Sequence, residues 1–199
     1  MSNARNLANF LGTSTTVPSG KIVTASLPTG SVLQVVQGSL KSAFTGTGAS
    51  ASGYILDIGL SATITPIATN SSILIDVSLY VGADQANASG YHQPYYVYKA
   101  GSELTSINGT STNGRPAVAG MINMYDTANT DVRYNVSWLG GKHLETNVGT
   151  TSATEYKVYV RGYSSGPVMF VNRSQQFQAS GGNYDGCPNS TITLTEIAV

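Results

Sequence analysis

The chain has 199 residues, ten basic and ten acidic side chains, and one cysteine. This length suits a single domain. Zero net charge without a basic cluster argues against a nucleic-acid-binding protein, because phosphate contacts require Lys and Arg. One cysteine excludes a disulfide framework within a chain, and no apolar run approaches the roughly 18 residues that cross a membrane. We therefore expect a folded protein that neither binds nucleic acid nor inserts into a membrane.

Residues 1–30 predict a short helix followed by an extended arm. Leu7, Phe10 and Leu11 recur at the i, i+3, i+4 spacing that places side chains on one helix face. A helix this short is unstable alone in water, so its apolar face must dock on something. We expect these three residues to anchor the chain to a larger assembly; the alternative is that the helix packs on its own domain or frays. Residues 13–30 are rich in Ser, Thr, Gly and Pro, which is typical of an extended segment.

Residues 31–199 predict one all-β domain. Short β-branched and aromatic runs alternate with turns of Gly, Asn and Asp, a pattern typical of a β-sandwich, and among sandwiches we favour a jelly roll. In the last run, Ile192, Leu194 and Ile197 share one face only if a bulge or strand end lies near Glu196. The candidate strands are 32–40, 54–64, 73–81, 95–99, 117–124, 133–138, 155–161, 168–172 and 191–197.

Candidate catalytic residues are few. Glycoside hydrolysis needs two carboxylates that flank a cleft, and Asp57 and Asp76 are the pair that lies within predicted strands. An exposed or hydrogen-bonded strand carboxylate is the more common role for each. His92 and His143 lie in different predicted loops, and no Gly-x-Ser-x-Gly, His-Glu-x-x-His or phosphate-loop motif occurs. The sequence therefore predicts a protein that is not an enzyme and needs no cofactor; a monomeric carbohydrate-binding or hydrolytic sandwich is the alternative.

One loop has the composition of a metal site. Residues 126–131 place Asp126, Thr127 and Asp131 close together, as a Ca²⁺ site requires, but lack the Gly and distal Glu of an EF-hand loop. Such Asx and Thr loops more commonly form turns, so we assign no metal site. The single cysteine, Cys187, is expected to be a free thiol, as in proteins made in a reducing cytoplasm.

A Tyr-rich segment, residues 91–98, is the strongest indication of a recognition surface. Tyr combines a rigid apolar face with a hydroxyl group, which suits glycan or protein recognition. We predict that Tyr91, His92, Tyr95 and Tyr96 bind a receptor. The alternative is that alternate Tyr side chains fill the core of the sandwich and its rim.

Four segments together resemble small virion proteins and fibre modules of tailed bacteriophages, especially aquatic and cyanobacterial ones. These segments are residues 4–10, residues 30–37, residues 64–66 followed by 71–75, and the closing strand 190–198. The resemblance implies an all-β module, commonly homotrimeric, that is displayed on a virion. It also implies synthesis in the host cytoplasm and contacts with other virion proteins of the capsid or tail.

The resemblance and the layout of helix, arm and sandwich lead to one functional hypothesis. The chain is expected to be a homotrimeric fibre or adhesin that docks by its N-terminus and presents loops to the host surface, where a glycan is a candidate receptor. The alternative is a capsid decoration (cement) protein that stabilises the phage head. A charge-poor surface suits either role, because few ion pairs at an interface are exposed to screening by salt.

Overall fold

A computed structural model describes residues 27–47, 54–83, 92–124, 134–162, 168–176 and 186–199. The predicted anchoring residues Leu7, Phe10 and Leu11 lie outside the described residues, as does the candidate calcium loop 126–131. The helix at the N-terminus and its docking role therefore stay predictions. No helix in the described part of the chain is long and apolar enough to cross a membrane.

The described residues form eleven strands and one turn of 3₁₀-helix at Thr105–Ile107, which confirms the all-β prediction. The strands are β1 (Val32–Leu40), β2 (Phe44–Thr47), β3 (Ile55–Ile64), β4 (Ser72–Gly82), β5 (His92–Lys99), β6 (Ser102–Glu103), β7 (Gly120–Asn123), β8 (Val136–Glu145), β9 (Thr154–Arg161), β10 (Val168–Val171) and β11 (Ser190–Ile197).

The strands form two antiparallel sheets. In sheet A, β1, β11, β4 and β8 lie side by side, while β10 pairs with the end of β4 beyond β11 and carries β2 on its other edge. In sheet B, β3, β9 and β5 are adjacent, and the short strands β6 and β7 share the far edge of β5. β10 and β2 thus continue the sheet beyond β11 and β1, whereas β6 and β7 together form a fourth row beside β5.

The strand pairs are nested in the order of the chain. β1 pairs with β11, β3 with β9, β4 with β8 and β5 with β7, so the first strand meets the last and each inner pair lies inside the one before it. These four pairs alternate between sheet A and sheet B, and β2 with β10 forms a further nested pair in sheet A. A long hairpin wound in this way into two facing sheets is a jelly roll, the sandwich type that the sequence favoured.

The core consists of alternate side chains from both sheets. On β4, the five apolar residues at odd positions from Ile73 to Val81 are fully buried. Such period-2 burial is what a strand shows when one face lies on a core. The facing side chains of sheet B are also buried: Ile58, Leu60, Ala62, Ile64, Val97, Tyr156, Val158 and Val160. The alternating apolar residues of these strands therefore determine which face of each sheet is inside.

The end of β11 differs from the sequence-based expectation. The strand pairs with β4 without a bulge from Thr191 to Ile197, so Ile197 does not share the inward face of Ile192 and Leu194. Glu196 occupies the third inward position and is fully buried. Its carboxylate accepts hydrogen bonds from Gln34 Nε2 (2.6 Å) and from the backbone N–H of Ile67 (2.8 Å). These bonds replace the water that a carboxylate loses on burial.

β8 is longer than the sequence suggests. The predicted strand ends at residue 138, because the glycines that follow have low β-propensity. In the structure β8 continues to Glu145 and pairs with β4 along its whole length. A Cβ at Gly140 would lie 2.0 Å from the backbone oxygen of Val77. Glycine is therefore needed here for the strand backbones to approach, and tertiary pairing overrides local propensity.

A buried polar junction joins the interrupted strands of sheet A. Asn172 follows β10, is fully buried and has a φ of 58°. Its Nδ2 donates to Leu40 O (2.5 Å) and Ser42 O (3.2 Å), and its Oδ1 accepts from Ser190 Oγ (2.6 Å). Ser190 Oγ in turn accepts from the backbone N–H of Tyr80 (3.1 Å). Two side chains therefore satisfy backbone groups where the ladder is broken.

We predict that Asn172→Ala lowers the free energy of unfolding by about 3 kcal/mol, because it leaves several buried polar groups without partners. Urea denaturation measures this change. Asn147→Ala is the matched control, since Asn147 is exposed and also has a φ of 58°; it should cost about 1 kcal/mol or less. Equal losses in the two variants would show that backbone strain, and not the hydrogen-bonded junction, accounts for the effect.

Candidate functional site

A groove of about 910 Å³ lies on the outer face of sheet B. This volume lies within the range of roughly 300–1,000 Å³ typical of small-molecule sites. We call it the sheet B groove. Its lining residues are His92, Pro94, Gly109, Thr110, Gly114, Arg115, Pro116, Ala117, Val118, Met121, Arg161 and Gly162.

The floor of the sheet B groove comes from three strands. Along β5, Tyr95 and Val97 point into the core, so His92 and Pro94 lie on the outer face by alternation. Met121 on β7 is the register partner of Pro94 and is 59% exposed. Arg161 ends β9 on the same face, between the inward Val160 and Gly162. The strands thus place an apolar floor beside a guanidinium group.

The wall of the sheet B groove is a loop between β6 and β7 with its own tight turn. Asn113 and Gly114 have φ values of 53° and 75°, as the two central residues of a type I′ turn require. The turn pairs Thr112 with Arg115, whose backbone N–H donates to Thr112 O (3.1 Å). Ser111 Oγ also donates to Arg115 O (2.8 Å). These bonds fix Arg115 at the rim of the groove.

The described lining of the sheet B groove is positively charged. None of the described lining residues is an Asp or Glu, and neither Arg115 nor Arg161 forms a salt bridge with a described residue. Arg161 Nη1 donates to the Tyr96 hydroxyl (3.3 Å), a neutral partner. By contrast, Lys99, Lys142 and Lys157 each pair with a carboxylate. The groove therefore holds cationic groups that no described carboxylate neutralises.

Two aromatic rings extend the same outer face. Tyr98 on β5 and Tyr159 on β9 stack with their ring centroids 4.2 Å apart. Burial raises the pKa of Tyr98, with Glu103 as a further cause, so its hydroxyl stays protonated at neutral pH. Next to them, Lys157 pairs with Asp57 at 3.2 Å. Sheet B thus presents aromatic and charged groups on the side away from the core.

The predicted receptor-binding residues do not form one surface. Tyr91 lies outside the described residues, and His92 lines the sheet B groove. Tyr95 is fully buried, and Tyr96, on the outer face, is only 3% exposed. Since neither ring offers a surface to an external ligand, the structure gives Tyr95 and Tyr96 packing roles, and the core-filling alternative describes Tyr95. The Tyr-rich segment forms β5, and strand alternation divides its residues between two faces.

The candidate hydrolytic pair is not assembled. Asp57 lies on the outer face of sheet B, opposite Tyr159, and Asp76 lies on the outer face of sheet A, where it pairs with Lys142 at 2.8 Å. Packed sheets are about 10 Å apart, and these side chains point away from each other. Paired glycosidase carboxylates lie about 5–9.5 Å apart across one cleft. Asp57 and Asp76 therefore cannot act on one glycosidic bond.

A buried ion pair links the two sheets. Lys99 Nζ on β5 lies 2.6 Å from Glu145 Oε1 on β8 and donates to Val148 O (2.8 Å). The Tyr156 hydroxyl on β9 donates to Glu145 Oε2 (2.6 Å), and burial with this contact raises the pKa of Tyr156. Both carboxylate oxygens are thus occupied by internal donors, as a structural cross-link requires.

The residues that line the sheet B groove were mostly missed by the sequence analysis. Arg115 could have been identified from the sequence, because Asn113-Gly114 is the strongest short-range signal for a tight hairpin and Arg115 follows directly. Met121 and Arg161 gave no such signal. They meet only because β7 and β9 flank β5 in the folded sheet.

No protein-family model matches the chain, and a search of curated proteins finds no similar sequence. The resemblance to phage virion proteins therefore stays a prediction.

The other predicted histidine, His143, contacts the buried Tyr95. The Tyr95 hydroxyl and His143 Nε2 are 2.6 Å apart and join sheet B to sheet A across the core. Burial lowers the pKa of His143, and burial together with the charge of Asp76 raises the pKa of Tyr95. Both shifts favour a neutral pair, a phenol hydrogen-bonded to a neutral imidazole.

We predict that the protein loses stability as the pH falls below about 6.5, the usual pKa of an unfolded histidine. The unfolded chain then takes up a proton that folded His143 resists, at a slope of at most about 1.4 kcal/mol per pH unit, until the lowered folded pKa is reached. Urea denaturation between pH 7.5 and 5 measures this slope.

His143→Gln should flatten the slope. A slope that persists in His143→Gln would contradict the assignment.

Proposed function

We propose that the chain is a non-enzymatic virion structural protein of the adhesin type, a homotrimer that docks by its N-terminus and binds the host surface through its jelly roll. The nested strand order supports the proposal at the level of fold, since jelly rolls recur in viral capsid proteins and lectins. Fold alone does not identify a function. More specific support for a recognition role comes from the chemistry of the sheet B groove.

The observation that carries the proposal is the combination of an apolar floor and cationic rim in one groove. Met121 is exposed on the floor, and Arg115 and Arg161 stand beside it. Binding sites join apolar contact area to a few placed polar groups that give specificity. The tight turn of residues 112–115 holds the rim in a defined conformation, which lowers the entropy cost of binding. The groove is therefore suited to recognition.

The two alternatives differ in assembly and location. A capsid decoration protein is favoured by the outer face of sheet A, where Trp138 is 57% and Leu144 52% exposed. Large exposed apolar side chains on a flat sheet suit contact with coat subunits. A copy number of hundreds per particle supports this role, and a few copies at the tail support the adhesin. A monomeric carbohydrate-binding module would use the same groove without a virion.

For the purified chain, we predict a mass near three times 20.7 kDa by light scattering, unchanged between low and high salt. The interface should be insensitive to salt because only 10% of the residues are charged and few interface ion pairs are therefore open to screening. A monomer at all concentrations would favour the carbohydrate-binding module.

A variant lacking residues 1–12 tests docking separately in the phage that encodes the chain. It should keep the trimer mass and fail to enter particles. Normal incorporation of this variant would overturn the anchoring role of the N-terminus.

A further inference from the structure

We infer that the sheet B groove binds an acidic saccharide, a sugar chain that bears carboxylate or sulfate groups, through Arg115 and Arg161. This inference rests on the proposed function, because it names the ligand class of the same groove. Its basis is the charge of the groove together with the chemistry of its floor.

The charges around the groove are complementary to an anionic ligand. The described residues include six carboxylates, and those of Asp57, Asp76, Glu145 and Glu155 face lysines. The other two accept hydrogen bonds from neutral groups: Glu103 from Asn108, and Glu196 from Gln34 and the Ile67 backbone. None reaches Arg115 or Arg161. Among the described residues, the groove holds two arginines and no carboxylate, which provides a local site for an anion.

The environment of Arg161 also favours an anion. Arg161 is half-buried on the outer face at the end of β9, and among the described residues its side chain donates a hydrogen bond only to the Tyr96 hydroxyl. A partly desolvated guanidinium group is costly to leave without an anion. The group has five N–H donors in a planar fork that matches the two oxygens of a carboxylate or the face of a sulfate. Tyr96 occupies one donor and holds the plane of the fork.

The apolar floor of the groove favours a sugar over a simple inorganic anion. Ala117, Val118 and Met121 form an apolar surface next to the arginines. The C–H faces of a pyranose ring pack on such a surface, while its hydroxyl groups reach polar groups such as the Thr110 side chain at the wall. A free inorganic anion would use the arginines and leave the floor and most of the 910 Å³ empty.

Isothermal titration with matched saccharides tests the inference. The probes are oligosaccharides in paired forms: an oligogalacturonate tetramer with its neutral methyl ester, and sulfated galactose oligomers with their unsulfated parents. At least one acidic member should bind about tenfold or more tightly than its neutral counterpart, because charge-assisted bonds to guanidinium are among the strongest hydrogen bonds in proteins. The preference should shrink at high salt.

Arg161→Gln and Arg115→Gln should each weaken the acidic ligand by about tenfold, as expected for the loss of one charge-assisted contact. Lys142→Gln is the matched control, since it removes one positive charge from the outer face of sheet A, and it should bind as the parent protein does. Arg115 is exposed on a turn, so its variant is expected to fold even if Arg161→Gln does not; thermal melts verify both.

The inference is overturned if no acidic member binds better than its neutral partner, if both arginine variants bind like the parent, or if inorganic sulfate binds as tightly as the acidic oligomers. If neutral oligosaccharides bind and Met121→Asp abolishes that binding, only the acidic preference would be overturned. The groove would remain a glycan site. If the purified chain forms no trimer, or if the variant lacking residues 1–12 enters particles normally, the proposed function itself would be contradicted, separately from the ligand class.

Discussion

The structure depends on the pairing of β4 with three neighbours. β8 covers one edge of β4 completely, while β11 and β10 divide the other edge between them. Five apolar side chains from Ile73 to Val81 can therefore face the core without exposing backbone polar groups. Where β11 and β10 meet, the ladder is broken, and Asn172 and Ser190 supply the missing hydrogen bonds. The nested jelly-roll order follows from this central strand.

The two outer faces differ in chemistry because the core takes the alternate residues of every strand. On sheet A, Thr191, Thr193 and Ser78 form a flat row of small polar groups, and the Trp138 indole N–H donates to Ser78 Oγ (2.9 Å). Sheet B instead carries a charged groove with a wall built by the loop between β6 and β7.

Much of the fold could be predicted from the sequence, because alternation of β-branched residues is a local signal. β1 has the predicted bounds, Val32–Leu40. The expectations fail where residues that are distant in the sequence determine the local structure. Glu196 is buried because Gln34 and Ile67 supply donors from elsewhere, and β8 continues through its glycines because β4 pairs with it. Neither partner is visible in a window of neighbouring residues.

The candidate site was less predictable than the fold for the same reason. Its cationic groups come from a turn, Arg115, and from the end of β9, Arg161, which are far apart in the sequence. The Tyr-rich segment identified β5 as the central strand of the site, but strand alternation buries Tyr95 and leaves His92 on the groove. A sequence pattern can locate a strand, whereas the composition of a face also requires its neighbours and their register.

The proposed adhesin role of the sheet B groove is tested most directly by the adsorption rate of phage particles on their host. Two particle types should be compared, one carrying Met121→Asp and the other Leu144→Asp, because these side chains are 59% and 52% exposed on opposite sheets. The proposal predicts at least about tenfold slower adsorption for Met121→Asp, since a carboxylate on the floor would repel an acidic ligand, and near-normal adsorption for Leu144→Asp. Unchanged adsorption for Met121→Asp, in particles with normal amounts of the protein, would contradict it.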